Sequence, residues 1–313
     1  AKNKKPGSKP LLSVLLPVLN GSDTIRDAIE SLINQDFKDF EILVIDGGSS
    51  DGTHEIINEY QRNDPRLKLY KKDIGLGDSL NFLLRIAKGS FSARMDADDI
   101  SLPSRFSSQI DLLKARKDVV LVGTQISYIV GDKVITRTPY SRDHLKIVSD
   151  LENGIFSLAH PSIMFRKKTF NKLKYYDLRF KYSQDYDLIH RFIKNSRYSI
   201  GKLDEYLYRL RYSSNSISSK FSEQQLINSV IIIFKYNYNN FYDLFLTTKS
   251  TEEMINIIDM SDKTLSQNAI FYSYLINKKI PLFLLINPIF LINLMIRYLF
   301  HPNLLIKRIF TLI

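Results

Sequence analysis

Three carboxylates crowd into four residues of this 313-residue chain, in the run Arg94-Met95-Asp96-Ala97-Asp98-Asp99. In extended backbone, side chains two apart share a face, so Asp96 and Asp98 point the same way. Like charges this close repel one another unless a cation or donors stand beside them. Mg²⁺ and Mn²⁺ prefer oxygen ligands, and Mg²⁺ is commonly held by one or two carboxylates together with substrate phosphates. The competing expectation is a solvated acidic turn, with Asp98 or Asp99 capping a helix near Pro103. A second run, Ile45-Asp46-Gly47-Gly48-Ser49-Ser50-Asp51-Gly52-Thr53, closes an apolar stretch. Asp46 can accept hydrogen bonds from a base or ribose there, and the glycines let a ligand approach the backbone. The same run also reads as a tight strand-to-helix turn capped by Asp51.

Other chemistries find less support. His160 can approach phosphates or a metal, although a lone histidine is more often structural. His54, His144, His190 and His301 show no ligand spacing with one another. The chain has no cysteine, which excludes disulfides, cysteine-ligated zinc and a thiol nucleophile. Gly75-x-Gly77 lacks the third glycine and the strand context of a dinucleotide fingerprint. The formal net charge of +11 attracts polyanions such as anionic lipid or phosphorylated substrates. No helix-turn-helix, zinc-finger or RNA-recognition pattern accompanies it, so nucleic acid is not an expected partner.

The elements that would position these residues alternate. Leu11 to Leu16 reads as a buried strand ended by Pro17. Asn20-Gly21 marks a turn, with Ser22 or Asp23 as cap for a helix carrying Ile25, Ala28, Ile29, Leu32 and Ile33 on one face. Residues 40 to 45 form a second strand, 53 to 60 a second helix and 67 to 70 a third strand. Leu80, Leu83, Leu84 and Ala87 line another helix, with Gly89 placed as its C-terminal cap. This alternation predicts a parallel sheet covered by helices. Ligands then bind beyond the carboxyl ends of the strands, at Pro17 to Asn20, Asp46 to Asp51 and Asp96 to Asp99. Strands are also expected at 119–122, 127–130 and within 160–166, and a helix at 186–193.

The run SVLLPVLNGSDTIRDAIESLINQDFKDFEILVIDGGSSDGT, followed by DIGLGDSLN and AKGSFSARMDADD, resembles the family 2 glycosyltransferases of GT-A fold, of the kind that builds bacterial surface polysaccharide. AHPSIMFRK, YSQDYDLIHRF and LYRLRYSSNSIS extend the resemblance to residues 11–215. It implies an α/β, Rossmann-like catalytic domain over 10–215, preceded by a loose basic tail at 1–9. It further implies an inverting transfer from a UDP-sugar with Mn²⁺ or Mg²⁺. Pro17, Val18, Asn20 and Asp46 would line the nucleotide pocket, with Asp46 facing the base. Asp73, Gly75, Asp78 and Asn81 match a donor-side motif. Asp96, with Ala97, would meet the donor and Asp98 the metal, joined by His160. Asp185 would be the catalytic base, with Asp187 as the alternative. In two places the chain departs from the family pattern: Gly47 stands where many members have a second acid, and Gln184 where many have Glu. A sugar nucleotidyltransferase is a rival, but PVLNGSDT lacks that class's basic glycine-rich loop. A non-catalytic, nucleotide-sugar-binding scaffold is the other.

Residues 216–313 are expected to be mainly helical. Pro281 to Phe300 approaches the ~20 apolar residues that span a bilayer, but Asn287, Pro288, Asn293 and Arg297 interrupt it. With Lys278, Lys279, Lys307 and Arg308 flanking it, the stretch reads as a helix lying in an anionic membrane interface. Packing within the protein, a homodimer interface and a true span are the alternatives. The expected acceptor is a saccharide on a polyprenyl diphosphate. The expected location is cytoplasmic, peripheral on the inner face of the plasma membrane; the first residues carry no apolar signal-peptide core.

Overall fold

The computed structural model describes residues 8–136, 141–152, 157–194 and 198–213, and the single residues 216, 220, 221, 224, 225, 228, 229, 232, 235 and 236. The expected helices beyond 236, including the 281–300 stretch, lie outside the described residues. The order is β1 (Leu12–Val18), α1 (Ile25–Ile33), β2 (Phe40–Asp46), α2 (Thr53–Asn63), β3 (Leu67–Lys71), α3 (Leu76–Ile86), β4 (Phe91–Arg94), β5 (Ile100–Ser101), α4 (Arg105–Ala115), β6 (Val119–Val130), β7 (Lys133–Thr136), α5 (His144–Glu152), β8 (Met164–Arg166), α6 (Lys167–Lys172), α7 (Gln184–Ile193) and β9 (Ser199–Arg211). The strands form one sheet in the order β3-β2-β1-β4-β8-β6-β9-β5, with β7 paired to β6. β3, β2, β1 and β4 are mutually parallel, as the alternation predicts. β8 then runs antiparallel to both β4 and β6, so the sheet is mixed.

Both faces of the sheet are covered, and β1 and β2 are accordingly buried along their whole length. Leu12, Val14 and Leu16 pack with α1 and α4 on one face, while Leu15 and Leu43 pack with α3 and α7 on the other. Ile25, Ala28, Ile29 and Leu32 of α1 are all fully buried. Each larger side chain of that set stabilises the fold by about 1.5–3 kcal/mol.

Two sequence expectations change here. β1 does not stop before Pro17 but runs through it to Val18. The Leu15 carbonyl accepts from the Met95 amide on the β4 side, and backbone groups two apart point to the same neighbouring strand, so Pro17 turns its missing N–H toward the side where β4 has already ended. Gly89 is not a helix cap; α3 closes at Ala87. A Cβ on Gly89 would lie 2.6 Å from the Ser13 nitrogen and 2.7 Å from the Phe91 oxygen, so glycine is needed for close backbone approach. Gly89→Ala is expected to destabilise the fold by about 1–3 kcal/mol, the usual range for overpacking. An unchanged urea midpoint would contradict this.

Candidate active site

The crevice lies beyond the carboxyl ends of β1, β2, β3 and β4. The loops after β1 and β2 lace together. Asn20, in the left-handed region at φ 52°, donates its amide to Ser49 Oγ (2.9 Å) and accepts from the Ser50 amide (3.0 Å). The Gly21 amide donates to Thr53 Oγ1, and the Ser22 amide to Asp51 Oδ2, each at 2.9 Å. Ser22 and Asp23 therefore do not cap α1; its cap position is Thr24, whose hydroxyl instead holds the Ala97 carbonyl at 3.0 Å. Asp46 is fully buried at the end of β2. Its Oδ1 accepts from Gly48 (3.2 Å) and Ser49 (2.8 Å), and its Oδ2 meets His54 Nδ1 at 2.9 Å. Burial alone would raise the Asp46 pKa, but hydrogen bonds from Ser49, His54 and Gly48 outweigh it and hold the pKa below the usual range.

The loop after β3 folds over this pair. Asp73 is exposed, with its carboxylate beside Gly48: Oδ1 is 3.4 Å from where a Gly48 Cβ would sit. Asp78 is exposed in the first turn of α3. Asn81 is turned inward. Its Nδ2 donates to the Tyr176 carbonyl (3.0 Å) and its Oδ1 accepts the Tyr176 amide (2.9 Å), so it anchors the Tyr176 segment to α3.

The three carboxylates after β4 have different surroundings. Asp99 is buried; it accepts from Tyr208 Oη (2.7 Å) and from the Arg211 amide (2.8 Å). Arg211 Nε holds the Asp98 carbonyl at 2.9 Å, so β9 fixes the turn. Asp96 is half-exposed and paired with Arg94, whose side chain is 1% exposed at the floor of the crevice. Asp98 is also half-exposed, and among the described residues only its own backbone is a donor to its carboxylate. Burial, then repulsion from Asp96, raises the Asp98 pKa; burial, then both neighbours, raise that of Asp99 further.

The opposite wall is the first turn of α7 and the turn at His160. Asp185 is half-buried and accepts from the Tyr186 amide at 2.9 Å. Burial lifts its pKa to about 6, Asp96 adds to the lift, and the Arg94 charge opposes it. Asp187 is fully buried and accepts from Arg191, Lys235 and Tyr236, so it is not free to reach an acceptor. His160 Nε2 is 2.8 Å from Tyr176 Oη, and burial followed by the Arg94 charge keeps its ring neutral. The structure thus gathers Asp96, Asp98 and Asp185 around Arg94, while Asn20, Asp46 and Asn81 are engaged in holding loops. Arg94, Tyr208 and Arg211 were not singled out from the sequence. The signal for Arg94 was a lone cation closing a short strand just ahead of the carboxylates; that for Tyr208 and Arg211 lay in the Leu207-Tyr-Arg-Leu-Arg211 stretch.

The residues suit a divalent ion. Asp98 offers a hard oxygen to which no other described residue donates, in a group whose mutual repulsion a cation would relieve. Among the described residues no cluster of three or more His, Asp or Glu side chains could hold an ion alone. Such a site would need ligands from substrate phosphates.

Comparison with known proteins decides the family. The model of glycosyl transferase family 2 matches residues 13–174. This chain belongs to that family. Among relatives of this family 2 glycosyltransferase, an uncharacterized glycosyltransferase of Methanocaldococcus jannaschii is 31% identical over 278 residues, covering 82% of this chain and 95% of its own. The O-antigen biosynthesis glycosyltransferase WbnJ of Escherichia coli is 33% identical over 182 residues, covering 57% and 70%. Among solved structures, S. aureus TarS in complex with UDP superposes with a TM-score of 0.55 at 20% identity, over 79% of this chain and 78% of that one. The mannosyltransferase PcManGT of Pyrobaculum calidifontis, in complex with GDP-Man and Mn²⁺, gives 0.56 at 15% identity over 85% and 79%. The fold of the family 2 chain is therefore GT-A, as the sequence implied.

Proposed function

We propose that this glycosyltransferase transfers a sugar from a UDP-sugar to a hydroxyl of a saccharide acceptor, with inversion at the anomeric carbon. The observation that carries the proposal is that Asp98 and Asp185 stand about the same Arg94 and Asp96, with burial raising the pKa of each. Pro17, Val18, the Asn20 loop and Asp46 would line the nucleotide pocket at the strand ends, with Asp73 and Asp78 on the donor side. Asp46, at the end of β2, would face the base. Asn81 would act on the donor side by fixing the Tyr176 segment. Asp96 and Ala97 would meet the ribose. Asp98 would hold Mn²⁺ or Mg²⁺, with His160 near the diphosphate; when bound, the ion supplies Lewis-acid stabilisation of the negative charge on the leaving group. Asp185 would take the proton of the acceptor hydroxyl as its oxygen attacks the anomeric carbon from the face opposite the diphosphate.

Asp185 must be ionised to do this. The rate is expected to rise with pH through about 6 and to level off by about pH 7, as for an essential general base. A rate that stays flat from about pH 5 to about pH 7 would rule out a base of this kind. NMR of the product's anomeric proton tests inversion.

The likeness to an O-antigen glycosyltransferase supports a place in surface-polysaccharide assembly. The apolar 281–300 stretch with its basic flanks supports an acceptor on a polyprenyl diphosphate, met at the inner face of the plasma membrane. That stretch lies outside the described residues, among which no helix is long and apolar enough to cross a membrane. Retention of Asp96, Asp98 and Asp185 in one crevice favours catalysis over a scaffold role.

A further inference from the structure

The family model ends at residue 174, before α7 begins. Beyond its core packing and the bonds Tyr186 and Arg191 make to the Leu151 and Leu173 carbonyls, α7 is held by groups still farther along the chain. Asp187, two residues after Asp185, takes hydrogen bonds from Arg191 Nε (2.8 Å), Lys235 Nζ (2.9 Å) and Tyr236 Oη (2.8 Å). The Tyr236 ring also lies flat against His190, with 5.6 Å between centroids. Just ahead of α7, Gln225 Nε2 donates to the Tyr182 carbonyl (3.0 Å), Asn228 Nδ2 to the Lys181 carbonyl (2.5 Å), and Ser183 Oγ to the Gln225 carbonyl (3.2 Å). Phe221 stacks on Tyr182 with 4.0 Å between centroids.

Tyr182 itself sits at φ 72°. A bulky residue keeps a left-handed conformation only where its surroundings over-determine it. Asp187, fully buried, is tolerable only while donors surround it. The first turn of α7 is therefore gripped from below through Asp187 and from ahead through residues 181–183. Both grips use side chains between 221 and 236.

From these contacts we infer that Tyr236, Lys235 and Asn228 are positioning residues: they hold the first turn of α7 so that the Asp185 carboxylate faces the crevice. The inference rests on Asp185 being the base. None of the three touches Asp185; they act through Asp187 and the Lys181 carbonyl.

Tyr236→Phe keeps the ring on His190 and removes one donor, and Asn228→Ala releases the loop ahead of the helix. Three quantities test the inference in each full-length variant. They are UDP release from UDP-glucose and UDP-N-acetylglucosamine with Mn²⁺ and water as acceptor, UDP affinity by calorimetry, and amide exchange at 184–187. Exchange there is expected to quicken and kcat to fall about tenfold, since misplacing a reacting group by an ångström costs up to ~10²-fold. UDP affinity should stay unchanged, because the proposed nucleotide contacts follow β1, β2, β3 and β4 and none lies on α7. Wild-type exchange and wild-type kcat in both variants would overturn the inference. If Tyr236→Phe does not fold, Asn228→Ala alone decides. Turnover that survives in Asp185→Asn sinks the base assignment instead, and the grip on α7 is then judged on exchange alone.

Discussion

Asp185→Asn is expected to abolish sugar transfer while leaving UDP binding intact. Asparagine matches the shape of the carboxylate, and its Oδ1 can still accept the Tyr186 amide that Asp185 holds at 2.9 Å. It cannot accept the acceptor's proton. Loss of a general base lowers the rate by about 10²–10⁴-fold. The nucleotide side of the crevice, as proposed, is built from the loops after β1, β2, β3 and β4, whereas Asp185 stands on α7, so UDP affinity should not change. Turnover of each variant alongside calorimetric UDP titration separates the two effects. Near-normal turnover would remove Asp185 as base. Asp187 could not then replace it, because its carboxylate is buried under Arg191, Lys235 and Tyr236.

Asp98→Ala is expected to weaken Mn²⁺-dependent UDP binding on the order of a hundredfold or more, given that partners which merely orient a metal ligand account for about 10–100-fold of affinity. The fold should not suffer. The pKa of Asp98 is raised by burial and by Asp96. A carboxyl group whose pKa is higher folded than unfolded is ionised at a cost to the folded state, so above its folded pKa the charge opposes folding. Removing it at neutral pH should leave the ligand-free protein as stable as before or slightly more so. Loss of UDP binding with an unchanged or higher melting temperature therefore marks a ligand-holding role. Unchanged Mn²⁺ dependence would remove Asp98 from the metal site.

The first three strands and helices were legible because each carries its own period, and residues 40–46 and 25–33 emerge within one residue of the expected bounds. The carboxylate run was legible as a cluster, but its premise of extended backbone does not hold: β4 ends at Arg94 and Ala97-Asp98 form a turn, so the turn and not the two-residue spacing sets where the carboxylates stand. β9 was not foreseen. Its 13 residues, mostly half-buried or exposed, alternate too weakly to stand out, and the strand is specified by pairing with β6 and β5 far away in the chain. The same non-local pairing brings Tyr208 and Arg211 to Asp99, so their part in the site could not be read from spacing. β6 appeared as two short strands, 119–122 and 127–130, because Gly123-Thr-Gln interrupts the apolar pattern. Its pairing with β9 absorbs that interruption with register shifts. Asn81 illustrates the opposite limit. Its place in a donor-side motif is evident from sequence, but its attachment to Tyr176, 95 residues away, is a property of the packed structure.

The proposed binding of a uridine diphosphate sugar through a divalent ion, in the crevice at the ends of β1 to β4 beside α7, calls first for calorimetric titration of UDP into the wild-type protein with and without Mn²⁺, with GDP as the comparator. Saturable UDP binding that requires Mn²⁺ and exceeds GDP binding is the predicted result. Absence of UDP binding in both conditions, or a preference for GDP, would contradict the account.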